Sequence, residues 1–249
     1  MTYFPTRPYN VAVVGAASGI GAAAARFLAR EGVRVACLDR DVDGAAQLAR
    51  SIDGEAMAAR CDVTDPASVD EAVTVTAKEF GQIHGLVNCA GITGRTNVKG
   101  HEVDLADFDR VYQVNLRGAF ILSQAILKHM LPFGYGRVLH VASIAGKEGN
   151  AGMTAYSATK AGLIGLVKSL GKDYQETGIT INALAPAVIR TPLVDALPEE
   201  TVKYMTDKIP MRRCGELKEA AAMIAWIVSP ACSFTTGFTF DLSGGRATY

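Results

Sequence analysis

The fold is decided by residues 10–30, which read NVAVVGAASGIGAAAARFLAR. The first five residues predict a short buried strand, and the alanine-rich end predicts a helix. Between them Gly15, Gly19 and Gly21 are spaced Gly-x-x-x-Gly-x-Gly, with Ser18 and Ile20 inside the same turn. Glycine lets a backbone approach a pyrophosphate, and a helix N-terminus favours its negative charge. The stretch therefore predicts a dinucleotide-binding turn, although glycines also occur in ordinary turns.

A second feature is the pair Tyr156 and Lys160 within AYSATKAG, residues 155–162. Residues four apart on a helix lie on the same face, so the ammonium can stand beside the ring. A positive charge there favours the phenolate and lowers the phenol pKa from roughly 10, which makes a usable general acid or base. Ser143 follows the apolar run RVLHVA, residues 137–142, and a strand end can present its hydroxyl beside the tyrosine.

These motifs together resemble the short-chain dehydrogenase/reductase family, over essentially all 249 residues. That family has a Gly-x-x-x-Gly-x-Gly loop, an Asn-Asn-Ala-Gly segment and a catalytic set of Asn, Ser, Tyr and Lys. The matching residues here are Gly15, Gly19 and Gly21, then NCAG at residues 88–91, then Asn115, Ser143, Tyr156 and Lys160. The resemblance implies a single domain over residues 1–249 and an oxidoreductase acting on CH–OH groups.

The pattern of elements independently favours an α/β fold. Strands are predicted near residues 10–14, 33–38, 56–61, 84–88, 136–142, 179–184 and 238–241, and helices near 20–31, 42–51, 66–79, 104–131, 153–177 and 216–228. Apolar strands joined by helical crossovers predict a parallel sheet with helices on both faces. The resemblance implies a doubly wound, seven-stranded sheet of Rossmann type, with ligands beyond the carboxyl ends of its strands.

The preferred cofactor is predicted to be NAD. Asp39 ends the second strand, eighteen residues after Gly21. A carboxylate there can accept both adenosine ribose hydroxyls and repels a 2′-phosphate. Ser18 stands where NADP-preferring relatives often carry a basic residue. Arg40 could in principle pair with a phosphate, but covering the adenine or facing water is the preferred interpretation.

The resemblance extends the cofactor site to three further segments. They supply Asp62 and Val63 beside the adenine, Asn88, Ala90 and Gly91 under the ribose, and Pro186, Ile189 and Thr191 beside the nicotinamide half, with Tyr156 and Lys160 completing the set. Helix capping is the alternative for Asp62, and tying adjacent strands together is the alternative for Asn88. The chain departs from the family pattern at Val14, Cys89 and Ala187, and none of these removes a catalytic group.

The implied reaction is hydride transfer between NAD and a secondary alcohol or ketone. Tyr156 would take the alcohol proton and Ser143 would bind the same oxygen. Lys160 would lower the tyrosine pKa and bind the nicotinamide ribose. Asn115 would hold a water that connects Lys160 to solvent, with a polar residue facing neighbouring backbone as the alternative.

Two histidines are further candidates for a general base. His129 lies near a helix end and His140 lies inside a predicted strand. These positions favour structural roles for both.

Substrate recognition is predicted from charges near Ser143. Lys147 and Glu148 follow it closely, and charge suits a hydroxylated or anionic substrate better than a lipid, because unpaired buried charge is costly. The alternative is that the two pair with each other or reach solvent. Arg246, after two glycines, has a planar fork suited to a carboxylate, with a solvated tail or an interface salt bridge as its alternative. Ser143, Glu148 and Arg246 are thus the predicted substrate residues.

The chain also resembles NAD-dependent dehydrogenases of sugars and 2-keto-3-deoxy sugar acids. A 3-oxoacyl-carrier-protein reductase is the first alternative, suggested by the stretch from Ser143 to Tyr156 with Gly149 and Asn150. Such enzymes usually take NADPH and attract an acidic carrier, which Asp39 and a neutral chain disfavour. A non-catalytic NAD-binding scaffold is the second, disfavoured by the intact Asn, Ser, Tyr and Lys set.

Composition excludes several other classes of function. Twenty-five basic residues equal 25 acidic ones, so no net charge favours nucleic acid or a membrane surface. Apolar residues 11–25 are explained by the strand, turn and helix rather than by a targeting signal, and no uninterrupted apolar run approaches the roughly 18 residues of a spanning helix. Five cysteines without a Cys-x-x-Cys pair predict buried thiols in a reducing cytoplasm and no metal site.

Assembly is predicted from apolar surface. The segment FTFDL, residues 238–242, reads as a last edge strand, and an unprotected apolar edge invites pairing. The predicted helices 104–131 and 153–177 carry more apolar surface than one sheet face can cover. The resemblance implies a homotetramer built from these elements.

Overall fold

The structure is a computed structural model that describes residues 3–5, 8–196, 198–247 and 249, without the side chains of Pro192 and Leu193. Its strands are β1 Asn10–Val14, β2 Arg34–Asp39, β3 Ala56–Arg60, β4 Gly85–Asn88, β5 Gly136–Val141, β6 Ile179–Pro186, β7 Ile189–Arg190, β8 Gly215–Glu216 and β9 Thr239–Leu242. Seven of them form one parallel sheet in the order β3-β2-β1-β4-β5-β6-β9. The predicted seven-stranded, doubly wound sheet is confirmed.

The helices connect these strands as crossovers. They are α1 Gly19–Arg30, α2 Val42–Ser51, α3 Pro66–Phe80, α4 Leu105–Tyr112, α5 Gly118–Met130, α6 Ala145–Glu148, α7 Thr154–Asp173, α8 Pro192–Asp195, α9 Glu199–Asp207 and α10 Leu217–Ile227. Gly100–Glu102 and Leu131–Phe133 form 3₁₀ turns, and Gln113–Arg117 forms a π-helical turn.

The core lies on both faces of the sheet, as the alternation along β1 illustrates. Val11 and Val13 pack into one apolar cluster with α1, α2 and α10, whereas Ala12 and Val14 pack into a second cluster with α3 and α5. All five residues of β1 are buried because helices cover both faces of this central strand. Because the seven strands are parallel, their carboxyl ends lie together at one edge of the sheet.

Two regions differ from the sequence prediction. The single helix expected over residues 104–131 is α4, the π turn and α5 in succession, and Asn115 lies within that turn. The helix α9 and the short ladder β7–β8 were not predicted. No residue of α9 is buried, and only Val202, Tyr204 and Met205 among its residues are apolar, so little in the sequence marks it as part of the core.

Candidate active site

The glycine turn joins β1 to α1 at the edge where the strands end. Gly15 has φ +78°, and a Cβ there would lie 2.8 Å from the backbone nitrogen of Ala90. A Cβ on Gly21 would collide with the carbonyl oxygen of Gly15. Ser18 caps α1 without a side-chain hydrogen bond to the helix. The backbone is thus closely packed behind the turn, and the N-terminus of α1 faces open space.

That open space is a cavity of about 690 Å³. Eleven predicted cofactor residues line it: Gly15, Ser18, Gly19, Ile20, Gly21, Asp39, Asp62, Val63, Ala90, Gly91 and Thr191. Five others are not among its lining residues: Asn88, Tyr156, Lys160, Pro186 and Ile189. The cavity follows the first four strand ends of the sheet and reaches the segment after β7.

Asp39 is fixed at the far end of this cavity by two backbone groups. Its Oδ2 accepts from the Ala17 N–H at 2.9 Å, and its Oδ1 accepts from the Asp41 N–H at 3.0 Å. Each carboxylate oxygen can accept a further hydrogen bond. The carboxylate is therefore oriented in advance toward hydroxyl donors, as NAD binding requires.

Asp62 does not cap α3, whose N-cap is Asp65, but it holds the turn that precedes this helix. It lines the cavity, and its Oδ1 accepts from the N–H and the hydroxyl of Thr64 at 3.0 and 2.7 Å. These hydrogen bonds lower the pKa of the Asp62 carboxyl, and the charges of Arg40 and Arg60 lower it further. Arg40 also lines the cavity, beside Asp39.

Asn88 ties strands together, as the alternative for this residue described. It is buried and lies opposite His140 in the register of β4 and β5. Its Nδ2 is 3.1 Å from His140 Nδ1, and its Oδ1 accepts from the Ala90 N–H at 3.1 Å. Asn88 therefore reaches the cavity only through the backbone of Ala90.

The candidate catalytic side chains meet where β5 ends and α7 begins. Ser143 lies two residues beyond β5, and its hydroxyl accepts from the Ala145 N–H at 3.1 Å and is hydrogen-bonded to Tyr156. Lys160, one turn along α7, has its Nζ 5.7 Å from the centre of the Tyr156 ring. The Lys160 ammonium is buried and donates to the Val141 carbonyl at 2.7 Å. The predicted proximity of these three side chains is confirmed.

Their pKa values differ from the sequence expectation. Burial raises the pKa of Tyr156, and the hydrogen bond with Ser143 opposes this. The net direction is upward, whereas the spacing of Tyr156 and Lys160 predicted a lowered tyrosine pKa. The phenol is removed from water, and the Lys160 ammonium donates to the Val141 carbonyl. Burial also lowers the pKa of Lys160 to about 8.

Asn115 reaches the site from the π turn. Its Oδ1 accepts from the Ile92 N–H at 2.8 Å, and its Nδ2 donates to the Ile92 carbonyl at 2.9 Å and to the Thr159 hydroxyl at 3.2 Å. The side chain thus faces neighbouring backbone, as the sequence alternative described. A Cβ on Gly91 would lie 3.3 Å from both Asn115 Oδ1 and Lys160 Nζ, so these two polar atoms flank that glycine.

Of the predicted residues from Pro186 onward, one lines the cavity in the described part of the chain. Thr191 lines the cavity, whereas Pro186 and Ile189 are buried behind it. The Pro186 carbonyl accepts from the Ile144 N–H at 3.0 Å and holds the residue that follows Ser143. Pro186 and Ile189 therefore support the site rather than line it.

The two predicted substrate residues in the charged segments bind each other. Arg246 Nε donates to Glu148 Oε2 at 2.8 Å, and its Nη2 donates to Asn150 Oδ1 at 2.9 Å. Lys147 pairs with Asp241 at 2.8 Å and does not pair with Glu148. The alternative that Lys147 and Glu148 pair with each other is therefore wrong, because the C-terminal segment brings a partner to each, while Glu148 stays partly open to solvent as that alternative also allowed.

The histidines have the structural roles that the sequence indicated. His129 Nε2 accepts from the Ile83 N–H at 3.0 Å, and burial lowers its pKa. His140 is fully buried between Asn88 and Ser123, and burial lowers its pKa to about 4. Neither ring lines the cavity.

Several lining residues were missed by the sequence reasoning. They include Asp41 beyond β2, Thr64 beyond β3, Cys89 and Ile92 beyond β4, and Arg110 on α4. Those after strand ends could have been found by extending each motif by one or two residues. Nothing local marks Arg110, which the fold brings from a distant helix.

The remaining features of the described residues concern thiols, metals and membranes. All five cysteines are free, four are buried, and Cys89 is half-buried. Burial raises the pKa of the Cys89 thiol to about 12. In the described ranges no cluster of His, Cys, Asp and Glu could hold a metal ion, and no helix there is long and apolar enough to cross a membrane.

Known proteins resemble this chain along nearly its whole length. A family model described as enoyl-(acyl carrier protein) reductase matches residues 15–247. The chain is 45% identical to the 2-dehydro-3-deoxy-L-rhamnonate dehydrogenase (NAD(+)) of Sphingomonas sp. (strain SKA58), over 95% of this chain and 94% of that protein. It is 40% identical to the cis-4-hydroxycyclohexanecarboxylate dehydrogenase of Sinomonas cyclohexanicum, over 95% and 96% respectively. The crystal structure of levodione reductase superposes with a TM-score of 0.91 at 33% identity, over 97% of this chain and 98% of that one.

Proposed function

The chain belongs to the short-chain dehydrogenase/reductase family, and from that premise we propose that it interconverts a secondary alcohol and a ketone with NAD. The proposed substrate is small, hydroxylated and anionic, such as a sugar acid or a 2-keto-3-deoxy sugar acid. The observation that carries the proposal is the meeting of Ser143, Tyr156 and Lys160 beside a cavity that Asp39 borders.

The residues around the cavity fit a nicotinamide dinucleotide. The N-terminus of α1 and the turn from Gly15 to Gly21 would hold the pyrophosphate, because backbone N–H groups and the helix dipole favour its charge. Asp39 would accept from the adenosine ribose hydroxyls, Asp62 and Val63 would border the adenine, and Ala90, Gly91 and Thr191 would border the rest. Bound NAD would supply the acceptor or donor of the hydride.

Tyr156 and Ser143 would act on the substrate oxygen. In ketone reduction the Tyr156 hydroxyl donates its proton to that oxygen, and in alcohol oxidation the phenolate takes it back. Ser143 hydrogen-bonds the same oxygen and holds it in place. Burial raises the pKa of Tyr156, and a protonated phenol suits the donor role.

Lys160 and Asn115 would support this proton transfer. The buried Lys160 ammonium lies one helical turn from Tyr156 and would also bind the nicotinamide ribose. Asn115 flanks Gly91 together with Lys160, and we propose that it helps to hold a water that connects Lys160 to solvent.

The anionic substrate class is supported by two relatives. The names of the proteins at 45% and 40% identity both denote a carboxylate that bears a hydroxyl group, a rhamnonate derivative and a hydroxycyclohexanecarboxylate. Ser143 would contact the reacting oxygen of such a substrate. Direct contact of Glu148 or Arg246 with it stays a prediction.

Reduction of 3-oxoacyl groups on a carrier protein is the second candidate. Relatives at 34–35% identity that are named 3-oxoacyl-[acyl-carrier-protein] reductases favour it. Asp39 in the cavity disfavours NADPH, and a net charge of +0 offers no general attraction to an acidic carrier.

One turnover experiment separates these candidates. Sugars, aldonates, 2-keto-3-deoxy acids and cis-4-hydroxycyclohexanecarboxylate are tested with NAD, and an acyl thioester is tested with NADPH. NADH formation with a hydroxy acid supports the proposal, while NADPH-dependent thioester reduction alone contradicts it. Tyr156→Phe should lower turnover by about 10²–10⁴-fold and leave NAD binding intact, because it removes only the proton-carrying oxygen. Near-normal turnover of that variant would refute the role of Tyr156.

We further propose one catalytic domain over residues 1–249, assembled as a homotetramer in the cytoplasm. Five free cysteines fit a reducing compartment. The edge position of β9 and the exposed Phe238 that precedes it support self-association.

A further inference from the structure

Arg246 is a charged side chain that the fold has buried near the C-terminus. Only 9% of its side chain is exposed. Its guanidinium donates hydrogen bonds to two acceptors, the Glu148 carboxylate at 2.8 Å and the Asn150 amide oxygen at 2.9 Å. An arginine stays charged when buried, so removal from water is tolerated only with such partners. Both partners lie in one short segment, residues 148–150.

That segment lies in the chain between Ser143 and Tyr156, whose hydroxyl oxygens are proposed to act on the substrate. At one end, α6 begins with the Ala145 N–H donating to the Ser143 hydroxyl at 3.1 Å. At the other end, the Asn150 N–H donates to the hydroxyl of Ser157 at 3.0 Å, and Ser157 follows Tyr156 on α7. Gly149 turns the chain between them with φ +73°. Arg246 thus contacts the middle of the chain segment that joins Ser143 to Tyr156.

A second ion pair holds the same helix from the same side. Lys147 Nζ binds both oxygens of Asp241 on β9, at 3.0 and 2.8 Å. Tyr249 donates its hydroxyl to the Lys147 carbonyl at 2.7 Å. Two consecutive residues of α6 are therefore anchored to β9 and the tail behind it, and a helix of four residues has little stability of its own.

We propose that Arg246 is a positioning residue, which braces α6 and the turn after it so that Ser143 and Tyr156 converge on one substrate oxygen. This inference rests on the proposed function and assigns Arg246 no contact with substrate. The Glu148 carboxylate compensates its charge at 2.8 Å, so the pair offers an anion no net positive charge. Direct carboxylate binding by Arg246 is the competing role.

Kinetics of Arg246→Ala separate the two roles. The substrates are a hydroxy acid that the wild type oxidises, such as cis-4-hydroxycyclohexanecarboxylate, and its neutral amide. Loss of the brace should lower kcat by about tenfold or more on both, since small misplacements of catalytic groups are costly, with little change in KM for the acid. A rise in KM for the acid alone, with kcat unchanged, would overturn the proposal and assign Arg246 to substrate binding.

Two further variants control for charge and folding. Arg50→Ala removes an exposed arginine of α2 and should leave kcat unchanged. Arg246→Lys keeps the charge, but one ammonium cannot replace the planar fork, so its kcat should fall between wild type and Arg246→Ala. Free guanidinium ion at sub-denaturing concentration should restore part of the kcat of Arg246→Ala and none of it in Tyr156→Phe.

An activity-independent measurement keeps this inference separate from the proposed function. Amide hydrogen exchange of residues 144–153 should be at least about tenfold faster in Arg246→Ala than in Arg50→Ala, because the brace limits local opening. Equal exchange in the two variants would overturn the proposal even if activity fell. If the wild type oxidises no alcohol with NAD, the proposed function fails while the exchange result still decides whether Arg246 braces α6.

Discussion

His140 is fully buried, and its hydrogen bonds determine which of its nitrogens carries the proton. Ser123 donates its hydroxyl proton to the Ala119 carbonyl at 2.8 Å, so it must accept from His140 Nε2 at 3.0 Å. His140 Nδ1 then accepts from the Asn88 amide, whose oxygen accepts from the Ala90 N–H. Because its pKa is lowered to about 4, the ring is neutral at physiological pH. The network holds the cavity wall in place through Asn88 and Ala90, and it takes no part in proton transfer.

Lys160 shows what the catalytic arrangement costs in stability. Burial lowers its pKa from 10.5 to about 8, so the folded chain binds its proton less tightly than the unfolded chain does. Between pH 8 and 10.5 the unfolded state holds more protons, and the wild type therefore gains stability as pH rises through this window. Below pH 8 the full cost is present, on the order of 3 kcal/mol.

We therefore expect Lys160→Met to differ from wild type in a pH-dependent way. Its free energy of unfolding relative to wild type should fall by about 3 kcal/mol between pH 7 and 10, because only the wild type is relieved of the buried charge. Urea unfolding across that range measures the difference, and activity should be lost at every pH. Lys172→Met, at an exposed position of the same helix, is the control. A pH-independent difference for Lys160→Met would contradict the expectation.

Asp39 gives a prediction about cofactor choice. Asp39→Ala should reduce the preference for NAD over NADP by about tenfold or more, because it removes an ionised hydrogen-bond acceptor and a repulsive charge. The ratio of kcat/KM for the two cofactors measures this. Asp43→Ala, exposed on α2, should leave the ratio unchanged. A wild type that prefers NADP would contradict the assignment of Asp39.

At the scale of elements, the packing of α6 on α7 sets the distance between Ser143 and Tyr156. Gly146 allows it, since a Cβ there would lie 2.6 Å from the carbonyl carbon of Lys160 and 2.7 Å from its carbonyl oxygen. Backbone atoms cannot yield as a flexible side chain can. Any side chain at position 146 must push the two helices apart.

Gly146→Ala should therefore impair both stability and catalysis. Overpacking of this kind costs about 1–3 kcal/mol, and the displaced Ser143 should lower kcat more than it changes NAD affinity. Gly100→Ala is a matched control, because a Cβ there would meet the Thr154 hydroxyl oxygen at an ordinary 3.8 Å. Thermal unfolding, kcat and NAD binding of both variants provide the test. Equal kcat in the two would show that the close contact is not needed.

At the scale of the whole molecule, β9 ends the sheet with aromatic side chains at its edge. The rings of Phe238 and Phe240 meet edge to face at 4.9 Å, and Trp226 packs on Phe240 at 5.6 Å. Phe238 is 54% exposed, although its ring packs on Phe240, which in turn packs on Trp226. Apolar surface of this kind at a sheet edge favours association with a second copy.

Light scattering at micromolar concentration should find a mass about four times the 26.3 kDa of one chain. Phe238→Asp should lower that mass, because a charge placed in an apolar contact stays unpaired. Tyr3→Asp, at another exposed aromatic position, should not change it. A monomeric wild type would contradict the proposed tetramer.

The sequence by itself determined the architecture and most of the site. The strands β1 to β6 and β9 were predictable because each is a short apolar run next to a turn. The glycine turn, Asp39, and the Tyr156–Lys160 pair were predictable because each depends on spacing within one strand, turn or helix. The proximity of Ser143 to Tyr156 followed because strand ends meet at one edge of a parallel sheet.

Only the tertiary structure decided contacts between distant residues and the effects of burial. Arg246 meets Glu148 across 98 residues and Lys147 meets Asp241 across 94, and no local pattern encodes either partner. The pKa of Tyr156 rises because the fold removes the phenol from water, whereas its spacing from Lys160 alone predicted the opposite direction. Local periodicity specifies which face of an element is buried, but hydrogen-bond partners and desolvation depend on what the whole chain packs against that face.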